Sequence, residues 1–300
     1  MTQLPDTLTT LLQKQYSPAD FDRILAGYQS DRITSFRVNP LKSSVPQMEA
    51  LLQTAGLSFT HPVWYPDAFC LPPASEAALT DLPAYEEGAF YLQSLSSMLP
   101  PLLLEARPGE TVLDMAAAPG GKTTQIAALT GNAAQITACE MNAVRAERLS
   151  FNLKRQGASR VFVMVCDARK LDDAFSFDRI LLDAPCTGSG TILFSDGRDF
   201  RMTDSYLQKT VRTQQALLKK ALGLLKKGHE MVYSTCSILS RENEEVLRAV
   251  LPACGGEILP IDPAFPQSIP TLPTRLPGTL CVCPTAEYEG FFAARIRKVR

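Results

Sequence analysis

The sequence predicts an α/β protein, with a Rossmann-like, doubly wound parallel sheet preceded by a small α+β domain. Three observations carry that expectation. From residue 108 onward, short aliphatic runs alternate with longer stretches of helical spacing. Each run is nearly continuous rather than alternating, as strands buried on both faces are. The first 107 residues differ, being punctuated by proline and holding the single tryptophan, Trp64.

The N-terminal domain, residues 1–107, reads as helices over 7–15 and 18–29, a strand in "ITSFRVNP", and a helix over 46–55. Its boundary falls near Arg107-Pro108-Gly109, and residues 108–300 form the second domain. There, "TVLDM" (111–115), "QITAC" (135–139), "VFVMVC" (161–166), "FDRILLD" (177–183) and "EMVYST" (230–235) read as strands. Between them, "GGKTTQIAALTG", "NAVRAERLSFNLKRQG" and "YLQKTVRTQQALLKKALGLLKKG" carry helical spacing, the last two closing on glycine as helices often do. The order β-α-β-α implies right-handed crossovers. "GTLCVCP" and "EGFFAARIRKVR" read as a closing hairpin at one sheet edge.

Composition bounds the function. With 300 residues, 45% hydrophobic and 20% charged, the chain can bury a full core. A net charge of -1 neither points to nor excludes nucleic acid. No apolar run approaches the roughly 18 residues of a membrane span, and "MTQLPDTLTTLLQKQYS" lacks the basic-then-apolar order of a signal peptide. A cytoplasmic protein with reduced thiols, no membrane association and no metal is expected, a monomer by default. Eight cysteines are too sparse for a disulfide scaffold, and two histidines supply little for a metal site or a Ser-His-Asp triad.

The stretch "MAAAPGGKTT" (115–124) nearly spells a phosphate-binding loop. A P-loop reading would use Asp183 as its magnesium carboxylate. Against it, Ala116 stands where the first glycine belongs, and Pro119 lacks an amide that a phosphate nest would use. Acids close three successive strands: Glu140, Asp167 and Asp183. The first is placed to accept from ribose hydroxyls and the second from an adenine amino group, while the third suits a cationic ligand. Ribose, adenine and positive charge together describe S-adenosylmethionine.

Cys186 in "DAPCTGSG" and Cys236 in "YSTCSILSRENEEV" follow the fourth and fifth strands. A thiolate beside a methyl donor suits methylation at carbon 5 of a pyrimidine, which is a poor nucleophile until a thiolate adds at carbon 6. A helix starting near Leu239–Ser240 and the Lys122 ammonium are candidates for lowering a thiol pKa. Cys139 and Cys166 lie inside strand patterns and read as small core residues.

"DMAAAPGGKT", "DAPCTGSG", "STCSILSRENEEV" and "CPTAEYEGFF" closely resemble the RNA cytosine-5 methyltransferases of the bacterial ribosomal and eukaryotic Nop2/Sun group, and "RITSFRVNPLK" resembles that family's N-terminal motif. The resemblance implies Cys236 as covalent nucleophile and Cys186 as the group that assists adduct breakdown. It implies contact of Asp183 with the cytosine N3 edge and the donor, and a place for Lys122 beside the active site. Ala116, Ala117, Ala118, Pro119, Gly120, Gly121 and Lys122, with Glu140 and Asp167, would bind S-adenosyl-L-methionine. The cysteine in T-C-S favours the RNA class over DNA enzymes, and alanine at 116 occurs in the branch acting on small-subunit ribosomal RNA.

The expected substrate is therefore ribosomal RNA, most readily 16S, with tRNA the alternative; a P-loop ATPase and a non-catalytic RNA-binding scaffold are the remote ones. Basic clusters at Arg32, Arg37 and Lys42, in "GRDFRMTDSYLQKTVRTQQALLKK", and in "RIRKVR" are the expected phosphate contacts.

Overall fold

A computed structural model describes residues 4–195, 200–262 and 265–300. The chain opens with helices α1 (Asp6–Gln15) and α2 (Pro18–Gln29), then β1 (Thr34–Val38), α3 (Val45–Thr54) and β2 (Ala68–Leu71). Short helices α4 (Glu76–Thr80) and α5 (Pro83–Glu86) precede β3 (Phe90–Leu92) and α6 (Leu95–Leu104). The alternating part runs β4 (Thr111–Asp114), α7 (Gly121–Leu129), β5 (Gln135–Glu140), α8 (Ala143–Gln156), β6 (Val161–Val165) and β7 (Phe177–Asp183). It closes with α9 (Asp204–Leu224), β8 (Leu225–Thr235), α10 (Glu244–Cys254), β9 (Gly256–Leu259), β10 (Leu280–Val282) and β11 (Phe291–Lys298).

Contacts group these elements into two compact units. One holds Ile33–Leu171 and Phe177–Leu181; the other holds the described residues of Met1–Arg32, Asp172–Ser176 and Leu182–Arg300. The grouping does not follow the division expected near residue 107, because α1 and α2 are bound to later loops. The Tyr16 hydroxyl donates to the Ile238 carbonyl at 2.6 Å and the Tyr28 hydroxyl to the Ser189 carbonyl at 2.5 Å.

In the Ile33 unit, β1 pairs antiparallel with β2 and β3 over a core of Phe36, Phe69, Phe90, Met48 and Leu52. A parallel set follows the order β7-β4-β5-β6, as the near-continuous apolar runs predict. Helix α8 is amphipathic: Ala146, Leu149 and Leu153 are buried, Asn142 caps its start and Gly157 (φ 72°) closes it. Leu149 and Leu153 pack against Ala117, Ala118 and Ala138.

In the other unit, β11 pairs antiparallel with β10, β8 and β9. The expected hairpin is there; β9 lies in a stretch that gave no strand pattern. One boundary differs from expectation. Helix α9 does not run to Gly228 but stops at Leu224, and the glycine lies inside β8. The Lys298 ammonium donates to the Leu225 carbonyl at 2.8 Å, fixing the backbone where the helix gives way to the strand.

The N-terminal basic motif is not a phosphate-facing cluster. Arg37 is wholly buried, and its guanidinium donates to Gln93 Oε1 (2.9 Å), the Gly121 carbonyl (2.9 Å) and Thr124 Oγ1 (2.6 Å). Burial lowers its pKa to about 10, against the counteracting influence of Tyr65, Tyr91 and Asp67. Asn39 donates to the carbonyls of Gly88 and Gln156, and the Lys42 ammonium to those of Glu87 and Arg155. Arg32 lies 3.6 Å from Glu289. The motif clasps β1 to the start of α7 and the end of α8. At the C-terminus, Arg295 and Arg297 both pair with Glu230. Of the three basic clusters, the one on α9 remains outward: Arg201, Lys209, Arg212 and Lys219 are exposed, while Gly197 and Arg198 lie outside the described residues.

No helix among the described residues is long and apolar enough to cross a membrane. Nor do they contain a group of three His, Cys, Asp or Glu that could hold a metal ion.

Candidate active site

The donor segment follows β4 in the Ile33 unit. Asp114 closes that strand almost wholly buried; its carboxylate accepts from Thr123 Oγ1 at 2.7 Å and from the Ala116 amide at 3.4 Å. It thus ties the strand end to the first turn of α7. The Ala117 amide donates to the Cys139 carbonyl and the Gly120 amide to the Ala117 carbonyl. With Ala117 and Ala118 turned into the core, backbone is what this loop offers a ligand. Arg145 and Asn152 of α8 hold it from outside, donating to the carbonyls of Ala118 and Pro119. The Lys122 ammonium donates to Ser97 Oγ at 2.7 Å.

The two acids of this unit stand at strand ends as expected. Glu140, 4% exposed, accepts from the Asn142 amide at 2.9 Å and lies 3.2 Å from Arg145. Asp167, two residues past β6, is gripped by the Arg169 guanidinium, its closest contact 2.7 Å. That pairing holds its carboxyl below the usual range.

The cysteine pair belongs to the other unit. Cys186 follows β7, Cys236 follows β8, and their Sγ atoms are 3.1 Å apart, each half-buried. Asp183 ends β7, where Ser234 Oγ donates to it at 2.7 Å. The two loops are stitched together: the Gly190 amide donates to the Cys236 carbonyl at 2.9 Å, and Ser189 and Ser237 hydroxyls meet at 2.8 Å. Gln15 of α1 binds the Ile238 carbonyl and the Ser240 amide, so the N-terminal helices brace the same loops.

The "EGFF" glycine belongs to this packing. The Gly290 amide donates to the Gly190 carbonyl at 2.8 Å, and a Cβ on Gly190 would lie 1.9 Å from the Gly290 carbonyl oxygen. Because backbone meets backbone there, no side chain can rotate away. Gly190→Ala is expected to cost on the order of 1–3 kcal/mol of stability by overpacking. A denaturant midpoint equal to that of the parent would contradict this close approach.

One of the two expected sources of thiol activation, a helix start near Leu239–Ser240, is not there. Helix α10 begins at Glu244 rather than near Leu239–Ser240, and its first turn carries two acids. The Cys186 thiol is pushed well up, first by its hydrogen bond with Cys236, then by burial, then by the charges of Cys236 and Glu242. Cys139 sits buried inside β5 as expected, and burial pushes its thiol up, whereas Cys166 lies one residue past the end of β6 and is half-buried.

Residues 101–297 match the family described as 16S rRNA methyltransferase RsmB/F. The chain belongs to this family. Among its relatives, the ribosomal RNA small subunit methyltransferase F of Salmonella agona (strain SL483) is 37% identical over 306 residues, covering 98% of this chain and 63% of that protein. The protein of the same name from Escherichia coli O127:H6 is 37% identical over 307 residues, covering 99% and 64%. The chain therefore spans under two thirds of the length of these relatives. A methyltransferase homolog protein from Pyrococcus horikoshii superposes with a TM-score of 0.81 at 33% identity, covering 99% of this chain and 100% of that one. NSun6 from the same organism, solved with SFG, shares the fold with a TM-score of 0.84 at 24% identity, covering 98% and 97%.

The residues of the 116–122 loop and the neighbouring strand ends suit S-adenosyl-L-methionine. The amides of Ala116, Ala117 and Gly120 already have protein acceptors, Pro119 has none, and two carboxylates stand at the neighbouring strand ends. Such a loop welcomes a cationic nucleoside and repels a polyphosphate. The P-loop reading falls on these engaged amides and on the family. The sequence reading had passed over Asp114, Arg145 and Glu242. Asp114 had a signal, as an acid ending the first strand of the alternating part; the others have partners visible only in the folded chain.

Proposed function

We propose that the protein transfers a methyl group from S-adenosyl-L-methionine to carbon 5 of a cytosine in RNA through a covalent cysteine adduct, with 16S ribosomal RNA the substrate and tRNA the alternative. The observation that carries this reading is the 3.1 Å approach of two cysteine sulfurs, each just past a strand end. In this proposal residues 108–300 supply the methyltransferase machinery, and residues 1–107, whose first two helices group with the later loops, supply RNA contacts. The exposed cations of α9 are the phosphate contacts we favour.

The cofactor supplies an electrophilic methyl group. Ala116–Lys122 and Glu140 would hold it through loop backbone and a ribose-facing carboxylate, and Asp167 would accept from the adenine amino group. Lys122 would lie beside the reacting base. For the base to react it must leave its stack. The Cys236 thiolate would then add to carbon 6, raising electron density at carbon 5 so that it can take the methyl group as that group's bond to the donor sulfur breaks and leaves a neutral thioether. Asp183 would face N3 as a carboxylic acid, donating its proton to the negative charge that develops there and taking it back on release. Release needs the C5 proton removed and the Cys236–C6 bond broken, and Cys186 assists that step. The pair fits an ordered exchange. While Cys236 carries charge, Cys186 keeps its proton. Once the Cys236 sulfur is bonded to carbon that repulsion is gone, so Cys186 can lose its proton to solvent and, as a thiolate, take the C5 proton, the freed pair restoring the C5–C6 double bond as the Cys236–C6 bond breaks.

Bisulfite sequencing of total RNA from a deletion strain tests the substrate. Loss of one methylated cytosine in 16S ribosomal RNA is the expected result; a loss confined to tRNA would move the substrate there, and no loss anywhere would overturn the proposal. At the donor site, Asp167→Ala is expected to weaken S-adenosyl-L-methionine binding by on the order of 1–3 kcal/mol. Calorimetry showing unchanged affinity in a folded variant would remove Asp167 from the donor site.

A further inference from the structure

Glu242 is wholly buried one turn before α10, yet four donors converge on its carboxylate. Oε1 accepts from the Thr187 amide at 2.8 Å and from Gln214 Nε2 at 3.2 Å. Oε2 accepts from Thr187 Oγ1 at 2.5 Å and from Ser237 Oγ at 2.5 Å. Thr187 is the residue after Cys186 and Ser237 the residue after Cys236, so a single carboxylate joins the immediate neighbours of both thiols. Gln214, from α9, also donates to the carbonyl of Pro185, on the other side of Cys186. The turn that presents Glu242 is fixed in its own right. Asn243 is bound to Thr235 and to the Ser237 carbonyl, and the Tyr233 hydroxyl donates to the Glu242 carbonyl at 2.6 Å.

A buried carboxylate is costly to keep unless each oxygen is satisfied. A neutral side chain could have packed this turn, so the charge calls for a reason beyond packing. We propose that Glu242 is a positioning residue for the reaction: by binding the residue that follows each cysteine it fixes the spacing of the two sulfurs and holds a carboxylate beside the Cys186 loop. The proposal rests on the cysteine roles assigned under the proposed function.

The titratable groups near Cys186 come from several elements. Asp183 comes from β7, Tyr233 and Cys236 from β8 and its following loop, and Glu242 from the turn before α10; α9 contributes only the uncharged Gln214. Cys236 and Glu242 oppose ionisation of Cys186, and the hydrogen bond with the Gly188 backbone acts the other way. Removing the Glu242 charge while keeping its shape should therefore let Cys186 ionise at lower pH.

The test is site-resolved alkylation by iodoacetamide across pH, read by peptide mass spectrometry on the full chain. Wild-type Cys186 should react only at alkaline pH. Glu242→Gln should move its midpoint down by about one pH unit or more, and Glu242→Asp, which restores the charge, should move it back. Cys139, also buried, should keep its wild-type profile in every variant, which separates a local charge effect from general loosening. A folded Glu242→Gln protein with an unchanged Cys186 midpoint would overturn the proposal. Should Glu242→Gln fail to fold, Thr187→Val carries the test, because it keeps the charge and removes the hydroxyl half of the tie to the Cys186 loop while the amide bond stays. Its Cys186 profile should stay alkaline while multiple-turnover methylation falls about tenfold at unchanged KM; an unchanged rate would overturn the clamp. Since alkylation needs no RNA, absence of methylation by the wild-type protein would defeat the proposed function without touching this readout.

Discussion

Cys236→Ala protein is expected to transfer no detectable methyl group, a loss of at least about a thousandfold, and to form no covalent complex with substrate RNA. Cys186→Ala should behave differently. Addition and methyl transfer proceed, but elimination stalls, so the protein accumulates joined to methylated RNA. On a denaturing gel this appears as a slow-migrating band for Cys186→Ala, absent for Cys236→Ala and absent with RNA lacking the target cytosine. The reason lies in the geometry. Two sulfurs 3.1 Å apart can exchange a proton but cannot both be charged, which is why the proposed mechanism divides addition and release between them. A band with Cys236→Ala alone would reverse the roles; equal bands would dissolve the distinction.

Arg37→Ala should be among the most destabilising single changes in the Ile33 unit, costing about 3 kcal/mol. It strips donors from Gln93 Oε1, Thr124 Oγ1 and the Gly121 carbonyl at once, and leaves a void under Tyr91, whose ring centroid is 5.3 Å from the guanidinium. Arg37→Lys should recover little, since a single ammonium cannot reproduce the forked geometry. Because Gly121 opens α7, S-adenosyl-L-methionine affinity should fall with stability, whereas a phosphate-contacting arginine would alter RNA binding alone. Urea unfolding and donor calorimetry on the same variant decide it: a stability loss under about 1 kcal/mol would show the clasp to be dispensable.

How far the sequence reached depended on how local each signal was. Periodicity placed α2, α8 and the parallel strands because hydrophobic spacing is a property of a dozen neighbouring residues. It placed the end of α8, where a glycine adopts φ 72°, and misplaced the end of α9, where the chain turns into β8 before its glycine. β9 escaped notice because "GEIL" is a strand only by its pairing with β11. That the 115–122 loop and both cysteines follow strand ends was legible, because strand ends are readable from the runs themselves.

The charged residues were the harder case. Arg37, Arg295 and Arg297 read as cations for a nucleic-acid surface, because a sequence reports charge and not the partner that meets it. Folding puts Arg37 inside with three acceptors and sets Glu230 across the strand pair from Arg295 and Arg297. Glu242 read as one acid in a polar run, and folding makes it the junction of two loops fifty residues apart. The amino-acid sequence by itself determined the alternation of elements, the donor loop and the two thiols, since each follows from short-range pattern and residue chemistry. Which charges face outward, which hold the core and how closely the sulfurs approach was decided only by tertiary structure, because hydrogen-bond partners far apart in the chain meet only after it has folded.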